Sequence, residues 1–413
     1  MKKITKIIVL CVLLAAAVFS TAFRPEFLVE ESTLQDLVGT WKGNFRVFTS
    51  KDKYFNDAAV MNIIEDGGDY SLYLTVNSCD AAYITINSWK VDGNTLLYNF
   101  NEMPWQTSVS LEFQGDNELV GTYTQYGTTR EISFKRASSQ PTDLSTVAQF
   151  VIENETDEAW FEHLSEYQTY DTSDNGLKIP FTYELNNKEG LQNFINANKI
   201  DALMRTKKTD IDRMMALMDV VCNNFKHDGA SGMPEERDAA SLIDYAKKIG
   251  SIECTGLSTI LSELCRAYGI PAKPIKCTPY TDEGEFCHVV VHAYSGEKKQ
   301  WIMLDPTYRL ILKDLAGNYV SLETLRQSLV DGEKLTPNAT AGRNGRLFYM
   351  EHYRVYMAKN GFRFSSLLNV SSATGAVSGG KLYMLQPEGF PTKNAYYRGE
   401  TPTTSAEAFW AAP

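Results

Sequence analysis

The sequence predicts an α+β protein in two parts, an all-β up-and-down barrel of about eight strands followed by a domain that mixes helices and strands. Three observations predict it. Residues 35–136 are short, evenly spaced segments with an apolar residue at every second place. Residues 188–268 instead place apolar residues three and four apart, the helical period. Between these regions lies 137–146, a polar stretch with one proline and no period, which reads as a linker.

The chain opens with a segment to set aside from the fold. Lys2, Lys3 and Lys6 precede an apolar run at 7–19, and Ser20, Thr21 and Ala22 supply small residues for cleavage, so residues 1–22 read as an export signal. The run is short for a membrane span, and Cys11 lacks the small residues that precede a lipid-anchoring cysteine. The mature chain is expected to be periplasmic or extracellular, with no membrane insertion. Its formal charge of −11 includes +3 from those lysines, so removing them leaves −11 − 3 = −14. That balance disfavours nucleic acid or an anionic membrane surface as a partner.

Eight segments make up the expected barrel: GTWKGNFRVF, AAVMNII, YSLYLTV, AYITINSWKV, TLLYNF, TSVSLEF, ELVGTYTQ and REISFK. DGGD at 66–69, DGN at 92–94 and GDN at 115–117 are hairpin-turn compositions between them. The pattern suits an up-and-down barrel, and a β-sandwich with a filled interior satisfies it as well. GTWKG at 39–43 resembles the first strand of lipocalin-like barrels.

After the linker, a domain at 147–340 opens with helices. Periodicity predicts helices over 188–206, 209–226 and 239–248, with the loop HDGASGMP between the last two. The stretch SIECTGLSTILSELCRAYGIPAK follows at 251–273. Leu257, Ile260, Leu261, Leu264, Cys265 and Tyr268 repeat at helical spacing, and Gly269 with Pro271 ends the pattern. From 341 to 413 the chain reads as a β-rich extension with short strands such as YRVYMA and KLYMLQ, and the last 14 residues read as loosely ordered.

Cys254 falls in the first turn of that helix, off its buried stripe. Unpaired N–H groups and the positive end of the helix dipole favour thiolate over thiol there, although Glu253 opposes this. The thiol therefore needs a base. His288 and His292 lie in CHVVVHAY, on one face of a strand, and periodicity does not choose between them. WIMLDPTYR supplies a buried strand ended by Asp305 against Pro306, placed to hold an imidazole's second nitrogen.

The order and text of CTGLSTILSELCRAYGIPAKPIKC, HVVVHAY and WIMLDPTYR resemble the core of the transglutaminase-like superfamily of papain-type thiol enzymes. VVCNNFKHDG and RDAASLIDYAKKIG resemble the approach to the cysteine in exported bacterial members, so the likeness covers roughly residues 190–312. It implies Cys254 as nucleophile, His288 as base and Asp305 as orienting acid. Val290 stands where many members carry an aromatic residue, and Cys287 beside the base is not part of the family pattern.

The remaining candidates read as structural. His227, Asp228 and Gly229 precede a loop bordering the cleft, and His292 packs behind the site. Asp210 with Asp212 and the acidic loop 281–285 lack calcium-ligand spacing, so neither a metal nor a cofactor is expected. Tyr353, Tyr356 and Asn360 are candidates for covering one side of the cleft. Without Cys11 six cysteines remain, of which Cys277 and Cys287 flank a turn and are placed to pair, while Cys222 and Cys265 read as core residues and Cys79 lies in the barrel.

The expected function is acyl transfer on a carboxamide or peptide bond of a peptide or protein substrate, hydrolysis rather than crosslinking. The alternative is a ligand- or glycan-binding protein with a vestigial thiol domain, motivated by Trp41, Trp89 and Trp105 in the barrel half.

Overall fold

The computed structural model describes residues 34–413 apart from 49–53, 77–80, 87, 101–106, 126–127, 142–154, 172, 174–176, 230, 281–286, 345, 349, 373–379 and 392–398. The export signal, Cys79, Trp105, the acidic loop and the second half of the linker lie outside the described residues. Among the described residues no helix is long and apolar enough to cross a membrane.

The first half forms strands β1 (Gly39–Phe48), β2 (Tyr54–Asp66), β3 (Asp69–Val76), β4 (Ala81–Thr85), β5 (Trp89–Asp92), β6 (Thr95–Phe100), β7 (Thr107–Phe113), β8 (Glu118–Gln125) and β9 (Thr128–Ser138). Their order is β4-β3-β2-β1-β9-β8-β7-β6-β5, antiparallel throughout. The expected eight strands become nine because AYITINSWKV breaks into β4 and β5. One piece pairs with β3 and the other with β6, so both ends of the sheet are consecutive pieces of one predicted strand. Ile86 N–H still bonds to Leu72 O at 2.9 Å, and Asn99 N–H to Ser88 O at 3.1 Å. With β1 also paired to β9, the meander is a nearly closed eight-position barrel rather than a sandwich.

Alternation fills its interior. Trp41, Phe45, Met61, Ile63, Leu74, Leu111 and Phe134 belong to one buried apolar cluster. Gly43 lies between Trp41 and Phe45 because a Cβ there would stand 2.7 Å from the Phe134 ring. Arg136 packs on this core, its guanidinium 4.1 Å from the Trp41 ring centroid and donating to Val38 O at 2.8 Å.

The second half is an eight-stranded sheet covered on both faces. Its order is Thr336–Pro337, Leu310–Lys313, Gln300–Asp305, His288–Ser295, Ala272–Thr278, Arg363–Leu367, Leu382–Leu385 and Glu400–Thr403. Val291, Ala293, Ile302 and Leu304 face a helical core with Leu257, Ile260, Leu261 and Leu264. Val290, Met303 and Leu310 face a second core with Tyr353, Met357, Phe362 and Phe409. Burial on both faces explains the unbroken apolar runs VVV and WIML.

Two expectations about helices are corrected. The helix over 188–206 is two, Gln192–Ala197 and Ile200–Thr206, because Lys199 takes a left-handed backbone (φ 53°) and Asn198 Nδ2 donates to Phe194 O at 3.0 Å. YRVYMA lies within a helix, Met350–Asn360, whose buried positions include Tyr353, Tyr356 and Met357. Its aromatic and β-branched content suits a strand, and packing overrides that preference. KLYMLQ does contain a strand, Leu382–Leu385.

The last 14 residues are ordered into the domain. Glu400–Thr403 pairs in parallel with Leu382–Leu385. Ser405 caps the Ala406–Phe409 helix through Ala408 N–H (3.2 Å), Phe409 is fully buried, and Trp301 Nε1 donates to Trp410 O at 2.9 Å.

Candidate active site

The Cys254–Ala267 helix is held against the sheet by its apolar stripe and by Ser258, whose Oγ donates to Val289 O at 2.8 Å. Its start is pressed against the short strand Ser251–Ile252: a Cβ on Gly256 would lie 2.3 Å from Ile252 Cδ1. Glu253 occupies the N-cap position but makes no capping bond with its side chain. Cys254 is the first helical residue, half-buried and free, where backbone N–H groups have no intrahelical acceptor.

His288 opens its strand opposite Cys277 and is fully buried. Its Nε2 lies 2.7 Å from Asp305 Oδ2, which assigns a proton to that nitrogen and turns Nδ1 to the other side. Nδ1 is buried and holds no well-aligned hydrogen bond, while the Cys254 sulfur is near enough to act on the ring. Burial pulls the His288 pKa down; the Asp305 charge and hydrogen bond, with Cys254, overcome it and raise it to about 10.

Asp305 ends its strand fully buried, with both oxygens engaged. Oδ1 accepts the Thr307 N–H at 3.0 Å, and Oδ2 accepts from His288 and from the Tyr353 hydroxyl at 2.9 Å. Tyr356 and Tyr308 meet the His288 ring edge-on, at 5.1 and 6.2 Å between centroids.

The structure thus brings Cys254, His288 and Asp305 together and places His292 elsewhere. His292 stacks on Trp301 (5.3 Å, 5°), its Nε2 accepts the Leu322 N–H at 3.0 Å, and burial with nearby Lys273 holds its pKa well below the ordinary value. His227 is near enough to His288 to feel its charge. Asn344 clasps its backbone N–H and C=O, both at 2.9 Å, and burial, Arg343 and His288 keep its pKa low.

Cys277 and Cys287 do not pair; both are free. Cys277 faces His288 across the ladder, which leaves Cys287 one residue beyond it. Burial first, then Cys254, push the Cys287 thiol up to about 11. Cys265 is core, and Cys222 donates to Pro306 O at 3.2 Å. Asp210 and Asp212 serve local structure, the first accepting from Ser295 Oγ and the second through its N–H on Thr209.

Tyr353 and Tyr356 do line the histidine side of the site, whereas the Asn360 amide donates back to Tyr356 O within its own helix. Thr307 and Tyr308 were not singled out from the sequence. Their one signal was adjacency, in DPTY directly after the acid.

Cys254 starts a helix, His288 starts a strand and Asp305 ends the next strand. Residues 198–306 match the model of the transglutaminase-like superfamily, so the chain contains a transglutaminase-like domain. The matched segment includes all three residues and ends before Tyr353. Among solved structures, the chain is similar to a "Putative Cysteine Protease" from Cytophaga hutchinsonii, at 14% identity over 73% of this chain and 83% of that one, TM-score 0.24. It is also similar to a TGase, at 12% identity over 46% of this chain and 43% of that one, TM-score 0.20. At these scores neither likeness carries weight here. No curated protein matches.

Proposed function

We propose that this protein is an exported thiol enzyme that transfers the acyl group of a carboxamide or peptide bond through a Cys254 thioester, with hydrolysis as its outcome. The observation that carries the reading is the His288 imidazole, bonded on Nε2 by Asp305 at 2.7 Å and with the helix-start thiol of Cys254 near enough to help raise its pKa.

The raised pKa keeps His288 protonated at neutral pH, which favours a thiolate partner. The thiolate attacks the carbonyl carbon, and the oxyanion meets the Cys254 backbone N–H, a donor worth about 3 kcal/mol in comparable sites. Collapse breaks the C–N bond while the Nδ1 proton of His288 passes to the departing amine. Water then gives its proton to the now neutral imidazole, attacks the thioester and releases the acid, restoring thiolate and imidazolium. Crosslinking requires a site that favours an amine over water, and no feature described above supplies one. The substrate class is a peptide or protein met outside the cytoplasm. The barrel's interior side chains form a packed core, which supports placing the activity in the second half rather than in the barrel.

Replacing Cys254 by Ala should lower amide turnover by about 10⁴-fold or more with an unchanged circular dichroism spectrum. Turnover that survives the substitution would sink the mechanism.

A further inference from the structure

We propose that Tyr353, from the Met350–Asn360 helix outside the matched segment, is a positioning residue whose hydroxyl fixes the Asp305 carboxylate in the orientation from which it holds His288. The inference rests on the catalytic reading of Cys254 and His288 and adds a requirement that the family match does not contain.

The hydroxyl donates to Oδ2 at 2.9 Å, the same oxygen that accepts His288 Nε2 at 2.7 Å, while Oδ1 is taken by the Thr307 N–H at 3.0 Å. Thr307 holds Oδ1, but without the tyrosine the only partner given for Oδ2 is the imidazole that the carboxylate has to orient. Tyr353 anchors that oxygen to the fold independently of the ring. Tyr353 is itself fully buried, its ring edge-on to Tyr308 at 5.2 Å and 5.5 Å from Phe348, so the phenol has no room to swing away. Phenylalanine at 353 would keep these ring contacts and lose the hydroxyl's bond to Asp305.

The shared oxygen also sets a direction. A hydroxyl donating to Oδ2 disperses part of the negative charge that faces the imidazolium. Without it, that charge concentrates on the oxygen facing Nε2 and holds the imidazolium proton more tightly. A more tightly held proton is delivered less readily to a leaving amine, and a loosened carboxylate orients the ring less well. Both effects act on the chemical step rather than on substrate binding.

The test is Tyr353→Phe in the full chain, read by an NMR titration of the His288 ring and by amide turnover. The expected result is an upward move of the His288 titration, with kcat down roughly tenfold, the scale of one hydrogen bond to a charged group, and KM within about twofold. In an Asp305→Asn background the same substitution should leave the titration where it is. An unmoved titration in the otherwise native chain, or an equal shift with and without the Asp305 carboxylate, overturns the proposal. If Tyr353→Phe does not fold, 3-fluorotyrosine at 353 replaces it; a stronger donor, it should move the titration down, and no movement counts against the proposal. Absence of amide turnover in the wild type removes the enzyme reading alone, because the His288 titration still decides the role of Tyr353.

Discussion

A fully buried imidazole tends to lose its proton, and the two histidines of one strand meet opposite outcomes through their neighbours. His292 has the Lys273 cation nearby and a backbone N–H donating to its ring, both of which favour the neutral form. His288 has a carboxylate at 2.7 Å, which outweighs its burial. Its folded pKa, about 10, lies above the ordinary histidine value of 6.5. Between those values the folded state holds a proton that the unfolded state has lost, so this contribution to stability is full below 6.5 and disappears as pH rises through about 10. The difference in urea-unfolding free energy between wild type and His288→Gln should therefore shrink steadily from pH 6 to pH 10. A constant difference would mean that the imidazole is not held as a cation. Cys254 and Asp305 were legible in the sequence because each lies where a local pattern changes, a helix start and a strand end before proline, whereas only the family resemblance set His288 apart from His292. The contact between Tyr353 and Asp305 was not legible, because 48 residues separate them and only the folded chain brings them together.

At the scale of elements, the helix behind Cys254 was legible because its apolar stripe and Gly269 stop leave one register, and Gly269 indeed has φ 81°. The 350–360 segment was not, since Tyr353, Val355 and Met357 alternate as well as Tyr353, Tyr356 and Met357 repeat. Which period applies is decided by the second core, not by the segment. Gly256 shows tertiary packing overriding local preference in the opposite sense. Alanine would gain up to about 1 kcal/mol of helix propensity, but its Cβ would meet Ile252 at 2.3 Å, and Ile252 is fully buried with no free space to yield into. Overpacking of this kind costs about 1–3 kcal/mol, so Gly256→Ala should lower the melting temperature and disturb the entry to Cys254. A higher melting temperature would show that Ile252 relocates without cost.

For the whole molecule, barrel topology was legible from hairpin turns and alternation, but the break between β4 and β5 was not, because AYITINSWKV alternates as one strand and only its two partners divide it. The C-terminal segment was misread because its anchors come from residues more than a hundred positions away. Lys273 is one of them: fully buried, 3.6 Å from the Phe181 ring centroid and donating to Phe409 O at 3.3 Å. Burial lowers its pKa to about 7, from the ordinary lysine value of 10.5. Between these values the unfolded chain holds a proton that the folded chain lacks, so stability rises with pH across that window and the cost is complete below about 7. Replacing Lys273 by Met should thus stabilise the protein most below pH 7, with the gain fading toward pH 10.5. The window overlaps that of His288 with the opposite slope, so the two contributions partly cancel in the wild type. Single variants separate them. Urea-unfolding free energy should fall with pH in Lys273→Met, where His288 remains, and rise with pH in His288→Gln, where Lys273 remains; a His288→Gln profile that does not rise between pH 7 and pH 10.5 would show that the C-terminal anchor holds its lysine charged throughout.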